Sequence, residues 1–203
     1  MNLNKLIELA NHSGGTLYFM ALLLLVALTV IIERSTHLSS MFHRGSELID
    51  LLQQQLEFKT LQAKLQLPQY AHLPHTRVIQ VAGLQQSQES TELLSRRIEE
   101  SVMHEVPQLD RSLWMLDTAI TLAPLVGLFG TIIGMFHAFS VLDDVQNGAS
   151  QITGGIAEAL IATACGLFIA MLGLIFFNWL NTRVRLIVHQ LETIKVMLLN
   201  RRY

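Results

Sequence analysis

Glu158 is the only charged residue between Asp144 and Arg183. It stands inside Gly155-Ile156-Ala157-Glu158-Ala159-Leu160-Ile161-Ala162-Thr163. A carboxylate in the middle of hydrocarbon costs roughly 3 kcal/mol on insertion scales, so it faces a bundle interior or an aqueous path. The chemistry open to it there is the uptake, release or charge balancing of a proton or a cation. Thr131 and Thr163 supply hydroxyls in neighbouring apolar segments. A threonine in such a place either bonds the carbonyl four residues back or offers its hydroxyl to a proton or a hydrated carboxylate. The residues alone leave both roles open. His137, one or two turns before Asp143 and Asp144, is the remaining titratable group. It either relays protons at the mouth of a path, since imidazole titrates in the physiological range, or makes an interhelical hydrogen bond.

These residues need elements that hold them in an apolar medium. Of the 203 residues, 51% are hydrophobic and only 7% aromatic, and the charges leave three gaps. Residues 9–32 and 118–142 carry no Asp, Glu, Lys or Arg, and residues 145–182 carry only Glu158. Each gap exceeds the ~20 residues a helix needs to cross a bilayer. The pattern predicts an all-α integral membrane protein with transmembrane helices at 14–32, 118–141 and 153–180. The first is an uncleaved anchor. Its leading segment holds Glu8 as well as Lys5, and it ends in Val30-Ile31-Ile32-Glu33-Arg34 with no small-residue cleavage site.

Orientation follows from Lys and Arg. Of the 14, only Lys5 precedes the first span, none lies between spans two and three, and the rest fall in 33–117 and 181–203. Those two regions are expected in the cytoplasm, as a helical region at 33–117 and a C-terminal helix at 181–203. The N-terminus at 1–13 and the loop at 142–152 are expected outside the cytoplasm. A net charge of −2 with dispersed basic residues gives no nucleic-acid footprint. One cysteine, Cys165, permits no internal disulfide and reads as a small packing residue. No metal-site spacing, Gly-rich phosphate loop or nucleophile–base pair is present, so neither a cofactor nor an enzyme is expected.

The polar insert is patterned as helices. Leu48, Leu52, Leu56, Leu61 and Leu65 form a seam that predicts a helix over 45–66. Pro68 and Pro74 bracket a loop at Gln69–Leu73, and Val78, Val81 and Ala82 predict a short helix over His75–Leu84. Ser90 caps a long helix whose seam runs through Leu94, Ile98 and Val102. No stop signal separates it from the second span, so a single helix over 90–141 is expected, about 75 Å long. His37, His43, His72 and His75 read as solvated or partner-facing. The Arg96–Arg97 and Glu99–Glu100 run reads as a solvated face.

Small residues mark the other two spans. Gly127, Thr131, Gly134 and Ala138 recur on one stripe, and Ala159, Thr163, Gly166, Ala170 and Gly173 on another. Such stripes let helices approach closely in lipid. Gly127, Gly130, Gly134, Gly166 and Gly173 are the expected packing positions.

Two of these segments carry a resemblance. Pro124-x-x-Gly127-Leu128-x-Gly130-Thr131, and Gly155-Ile156-x-Glu158-Ala159-Leu160-x-x-Thr163 followed by Gly166-Leu167-Phe168, are similar to the two pore helices of the ExbB/TolQ/MotA proton-channel family. The resemblance covers residues 113–178 by motif and nearly the whole chain by layout. MotA has four spans, so the three-span chain looks most like the ExbB/TolQ branch. The resemblance implies a homopentamer around a central lumen, in the inner membrane of a bacterium, which makes the side of 1–13 and 142–152 the periplasm. The lumen would enclose the transmembrane helices of an ExbD/TolR-like single-span partner with an intramembrane Asp. Proton flow would energise a TonB/TolA-like protein for outer-membrane transport. By motif position, Glu158, Thr131 and Thr163 become lumen-facing residues of the proton pathway. A TolQ-type role in envelope integrity, or a structural membrane scaffold without proton conduction, are the alternatives.

Overall fold

In hydrocarbon a backbone amide has no water to bond, so an apolar segment that crosses must satisfy its own N–H and C=O groups as a helix. All regular structure in the described residues is helical. The computed structural model describes residues 15–54, 58–83, 90–140 and 148–200; the side chains at 58, 59, 149–152 and 158 lie outside that description. The N-terminal segment 1–13, Leu56, Leu84 and the Asp143–Asp144 loop fall outside it too.

The helices are α1 (Thr16–Gln53), α2 (Phe58–Leu65), α3 (Pro68–Ala71), α4 (Pro74–Gly83), α5 (Thr91–Leu109), α6 (Leu113–Ser140) and α7 (Gly148–Asn200). Three of them, α1, α6 and the part of α7 from Thr153, are long and apolar enough to cross a membrane. Gly15 precedes α1 with φ +83°, a conformation glycine adopts without a Cβ penalty. Its carbonyl accepts the first helical bond, from the Phe19 amide at 3.3 Å. The chain divides into two compact units. One holds residues 1–32 and 112–178, the other 33–111 and 179–203.

In the first unit α6 and α7 run antiparallel with their small residues interleaved. A Cβ built on Gly134 would stand 2.7 Å from the Ala159 Cβ, one on Gly155 2.8 Å from the Ala138 Cβ, and one on Gly173 2.6 Å from Ile120 Cγ1. The opposite faces are apolar and open. Leu125, Phe129 and Phe136 of α6, Leu160, Phe168 and Ile175 of α7, and Leu22, Leu25 and Ile32 of α1 are all exposed. A patch of that extent is not sustained in water and marks a lipid or protein contact.

The second unit has an ordinary helical core. Leu180, Val184, Ile187, Leu191, Ile194 and Leu198 of α7 are all buried, at alternating four- and three-residue steps, the a/d spacing of a coiled-coil seam. Leu38, Leu48 and Leu52 of α1, Leu61 and Leu65 of α2, Val78 and Ile79 of α4, and Leu94 and Ile98 of α5 are buried too. Ser90 caps α5 as its sequence predicts, accepting from the Leu93 amide at 3.4 Å. Arg77 of α4 reaches Glu105 of α5 at 2.8 Å.

The loop expected at Gln69–Leu73 begins as a helical turn, α3, because Pro68 takes the first helical position, and three further expectations need correction. The leucine seam predicted as one helix over 45–66 is divided: Leu48 and Leu52 belong to α1, which continues without interruption from the first span, while Leu61 and Leu65 belong to α2. Periodicity reports which face is apolar, not whether two stretches of it share an axis. The single helix over 90–141 is also divided. It ends at Leu109, Ser112 takes φ +68°, and α6 starts at Leu113 with the Ser112 carbonyl accepting from the Met115 amide at 3.1 Å. A left-handed residue other than glycine costs about 1–2 kcal/mol and leaves no mark on the hydrophobic pattern.

His75 is the third correction. It is not solvated but fully buried. Its Nε2–H donates to Gln190 Oε1 at 3.0 Å, and Gln190 Nε2 in turn donates to the Phe42 carbonyl at 3.1 Å and to Ser46 Oγ at 2.9 Å. One glutamine thus joins α1, α4 and α7. Gly45 makes the room, because a Cβ there would fall 2.6 Å from Gln190 Oε1. Burial pushes the imidazole down to about 4, with the Gln190 bond opposing part of that.

The sign of the pH effect follows. Between the ordinary histidine value near 6.5 and about 4, the unfolded chain takes a proton that the folded chain refuses. Stability is therefore highest above ~6.5 and declines as pH falls, by about 3 kcal/mol when the window is fully crossed. Thermal melting in detergent is expected to drop steeply over that window, and His75→Gln to flatten the drop. An unchanged pH profile in the variant would assign the acid sensitivity to other groups.

Candidate functional site

Two polar residues of the paired spans meet at one level of the α6–α7 interface. Thr131 lies on the α6 stripe and Thr163 on that of α7, and their hydroxyls are in direct hydrogen-bonding contact. Thr131 Oγ1 is also 3.1 Å from the Gly127 carbonyl oxygen and 3.2 Å from that of Ala159. Thr163 Oγ1 is 3.1 Å from the Gly127 carbonyl oxygen. Two hydroxyl protons therefore serve two carbonyls and the hydroxyl–hydroxyl contact. When one threonine donates to the other, the second donates to a carbonyl, and the order can reverse. The cluster has more acceptors than protons, so lone pairs remain for a further donor.

This geometry resolves how each threonine bonds. Thr131 has its own i−4 carbonyl, Gly127, in reach, together with a carbonyl of the facing helix. Thr163 reaches across to Gly127. Both hydroxyls thus tie α6 to α7, an interaction of roughly 0.6–2 kcal/mol each in a membrane. Both side chains are half-buried.

The glycines set how near the two backbones come. A Cβ at Gly127 would stand 3.0 Å from the Ala162 carbonyl oxygen and from the Thr163 Cα. A Cβ at Gly166 would collide with the Ala123 carbonyl oxygen. Gly130 differs from the others: its Cβ would meet Thr16 Oγ1 at 2.7 Å and the Ala162 Cβ at 3.0 Å. Gly130 is therefore where the start of α1, α6 and α7 converge. Thr16 is buried there, and its position before a long leucine run carries no sequence signal for this contact. Gly155, which the sequence marks only as part of the motif around Glu158, is a packing position too, against Ala138 on the α6 stripe.

Glu158 falls within α7, three residues after Gly155, four before Ala162 and five before Thr163. On a helix that spacing puts position 158 at the flank of the stripe that packs against α6. Its side chain lies outside the described residues. His137 is exposed, and its Nδ1 lies 3.0 Å from the carbonyl oxygen of Ile133, on its own helix, with the Phe136 ring edge-on at 6.2 Å. The hydrogen bond described for His137 thus lies within α6. Because that bond is local and His137 ties no second helix among the described residues, His137→Asn is expected to leave assembly intact and proton-driven function within about twofold of wild type. Loss of function with normal assembly would instead identify a proton relay, where a positioned transfer group is worth 10²-fold or more.

Comparison with known proteins is consistent along most of the chain. The profile of the MotA/TolQ/ExbB proton channel family matches residues 54–193. The biopolymer transport protein ExbB-like 3 of Synechocystis is 34% identical over 157 residues, covering 76% of this chain and 74% of that protein. The biopolymer transport protein ExbB of Neisseria gonorrhoeae is 30% identical over 128 residues, 61% of this chain and 58% of its own. The Tol-Pal system protein TolQ of Haemophilus influenzae is 42% identical over a shorter stretch of 84 residues, 41% of this chain and 37% of its own.

Proposed function

Because this chain belongs to the MotA/TolQ/ExbB proton channel family, we propose that it is the pore-building subunit of an ExbB-type motor in a bacterial inner membrane. Five copies enclose the transmembrane helices of an ExbD/TolR-like partner. The partner's intramembrane Asp takes up a proton from the outer side and releases it to the cytoplasm. The resulting motion energises a TonB/TolA-like protein that acts at the outer membrane. The N-terminus and the 142–152 loop are periplasmic, and 33–117 and the C-terminus cytoplasmic, in accord with the distribution of Lys and Arg.

The observation that carries this reading is the Thr131–Thr163 hydroxyl pair on two closely packed spans, with surplus acceptors, on the helix that holds the lone charge Glu158. In the proposed mechanism Glu158 orients water or balances the partner's charge. The two hydroxyls accept and donate in either order, so a proton or a water molecule moving past them meets a donor or an acceptor without rearrangement of the helices. A TolQ-type assignment uses the same residues, and the 42% identity to a TolQ over 84 residues favours keeping it as the second reading.

The test is proton flux. The protein co-purified with its single-span partner and placed in liposomes is expected to acidify the lumen when a potassium diffusion potential is imposed. Thr163→Ser keeps the hydroxyl and should retain most of that flux, while Thr163→Val should reduce it severely, on the order of tenfold or more. Flux no greater than in protein-free liposomes, with an intact complex, would replace the channel reading with that of a scaffold.

A further inference from the structure

Arg183 is the first charged residue after Glu158, and it is held in an unusual way. Its guanidinium carbon lies 5.2 Å from the centroid of the Trp179 ring, one turn earlier on α7, and 5.3 Å from that of Phe42 on α1. Both distances are within the ~6 Å reach of a cation–π contact. Rings occupy the faces of a guanidinium, whereas its five N–H donors point outward in its plane. Two aromatic contacts therefore hold the Arg183 head between Trp179 and Phe42. Among the described residues no carboxylate pairs with Arg183 or with Arg185. Arg185 donates from Nη2 to Thr182 Oγ1 at 3.0 Å, which draws its side chain back along the same turn.

The position decides what such a fork meets. Trp179 is 38% exposed, and tryptophan concentrates at the membrane–water boundary. The turns of α7 before it expose Met171, Leu174 and Ile175, and the two turns after it carry both arginines. Arg183 thus follows the end of an apolar span, where the membrane–water boundary is expected, and among the described residues no carboxylate takes its donors. A phosphodiester is the anion that boundary supplies, and an arginine fork binds phosphate through two parallel bonds.

We propose that Phe42, Trp179 and Arg183 form a binding site for the phosphate of an anionic glycerophospholipid, with Arg185 adding charge beside it. The site anchors the foot of the third span and is independent of the proton path. It predicts selectivity for an anionic over a zwitterionic lipid, and dependence on the planar fork rather than on charge alone.

Native mass spectrometry tests this on the intact oligomer, with phosphatidylglycerol and phosphatidylcholine as competing probes. Wild type is expected to retain phosphatidylglycerol preferentially. Arg183→Gln should lower that retention about fivefold, the weight of one interfacial cation. Arg183→Lys should recover only part of it, and Arg185→Gln should have the smaller effect. Trp179→Leu, which keeps the charge and removes one face of the clamp, should also reduce retention. Millimolar inorganic phosphate should not displace the lipid. Equal lipid retention by wild type and Arg183→Gln at unchanged oligomer mass would overturn the proposal. So would full retention by both Arg183→Lys and Trp179→Leu, which would leave only unspecific charge. Displacement by inorganic phosphate would assign the site to a soluble anion and overturn the lipid reading.

Discussion

Replacement of Glu158 by alanine is expected to bring proton-driven transport down to background while the protein still inserts and assembles. Glu158 is the only charged side chain in the apolar stretch from 145 to 182, and holding it there costs roughly 3 kcal/mol. Removing the carboxylate therefore relieves a cost to insertion, so loss of function would not come from failure to reach the membrane. If Glu158 orients water or balances the partner's Asp, the loss should be at least ~100-fold, the lower end of what a positioned proton-transfer group contributes. Glu158→Asp keeps the charge on a shorter stem and should retain part of the activity. Glu158→Gln keeps the shape without the charge and should resemble alanine. Growth on a substrate that requires energised uptake, scored beside membrane content and oligomer mass, separates these cases. Normal growth with Glu158→Ala would remove this helix from the proton path.

Gly166→Ala is the second change with a large expected effect, although it adds only one methyl group. That methyl would collide with the carbonyl oxygen of Ala123 and stand close to the Gly127 Cα at 3.3 Å. Both obstacles are backbone, which cannot rotate away as a side chain can, so α6 and α7 must separate. Overpacking of this kind costs typically 1–3 kcal/mol, and separation also lengthens the Thr131–Thr163 contact just one turn away on α7. Reduced thermal stability in detergent is expected, together with loss of oligomer and of transport. The internal control is Gly154→Ala on the same helix, where an added Cβ meets nothing within 4 Å and stability should be unchanged or slightly raised by better helix propensity. Equal behaviour of the two variants would show that close approach of these helices is not required.

Much of this architecture is legible in the chain. The cost of a charge in hydrocarbon belongs to each residue separately, so the three charge gaps suffice to locate three long apolar helices. Capping is equally local: Ser90 before α5 and Pro74 at the first position of α4 act through their immediate neighbours. The small residues of the pore-type helices, and the motif around Glu158, are read from spacing within one helix. Local signals fail where a feature leaves no periodic trace. The left-handed Ser112 between α5 and α6 and the division of the leucine seam at 45–66 are of that kind.

The sequence by itself determined that this chain is helical, that three helices are apolar enough to span a membrane, that one carboxylate lies among them, and that its family is that of the proton channels. Only the tertiary structure decided which residues meet. Small residues recur every three or four positions on both α6 and α7, so several antiparallel registers are compatible with either stripe alone. The register observed brings together Thr131 and Thr163, 32 residues apart, and seats Gly130 against Thr16. The same holds for His75 and Gln190, 115 residues apart, whose burial reversed the solvated reading of that histidine. Register and long-range pairing are set by the sum of many weak contacts between two surfaces, a property that neither segment carries alone.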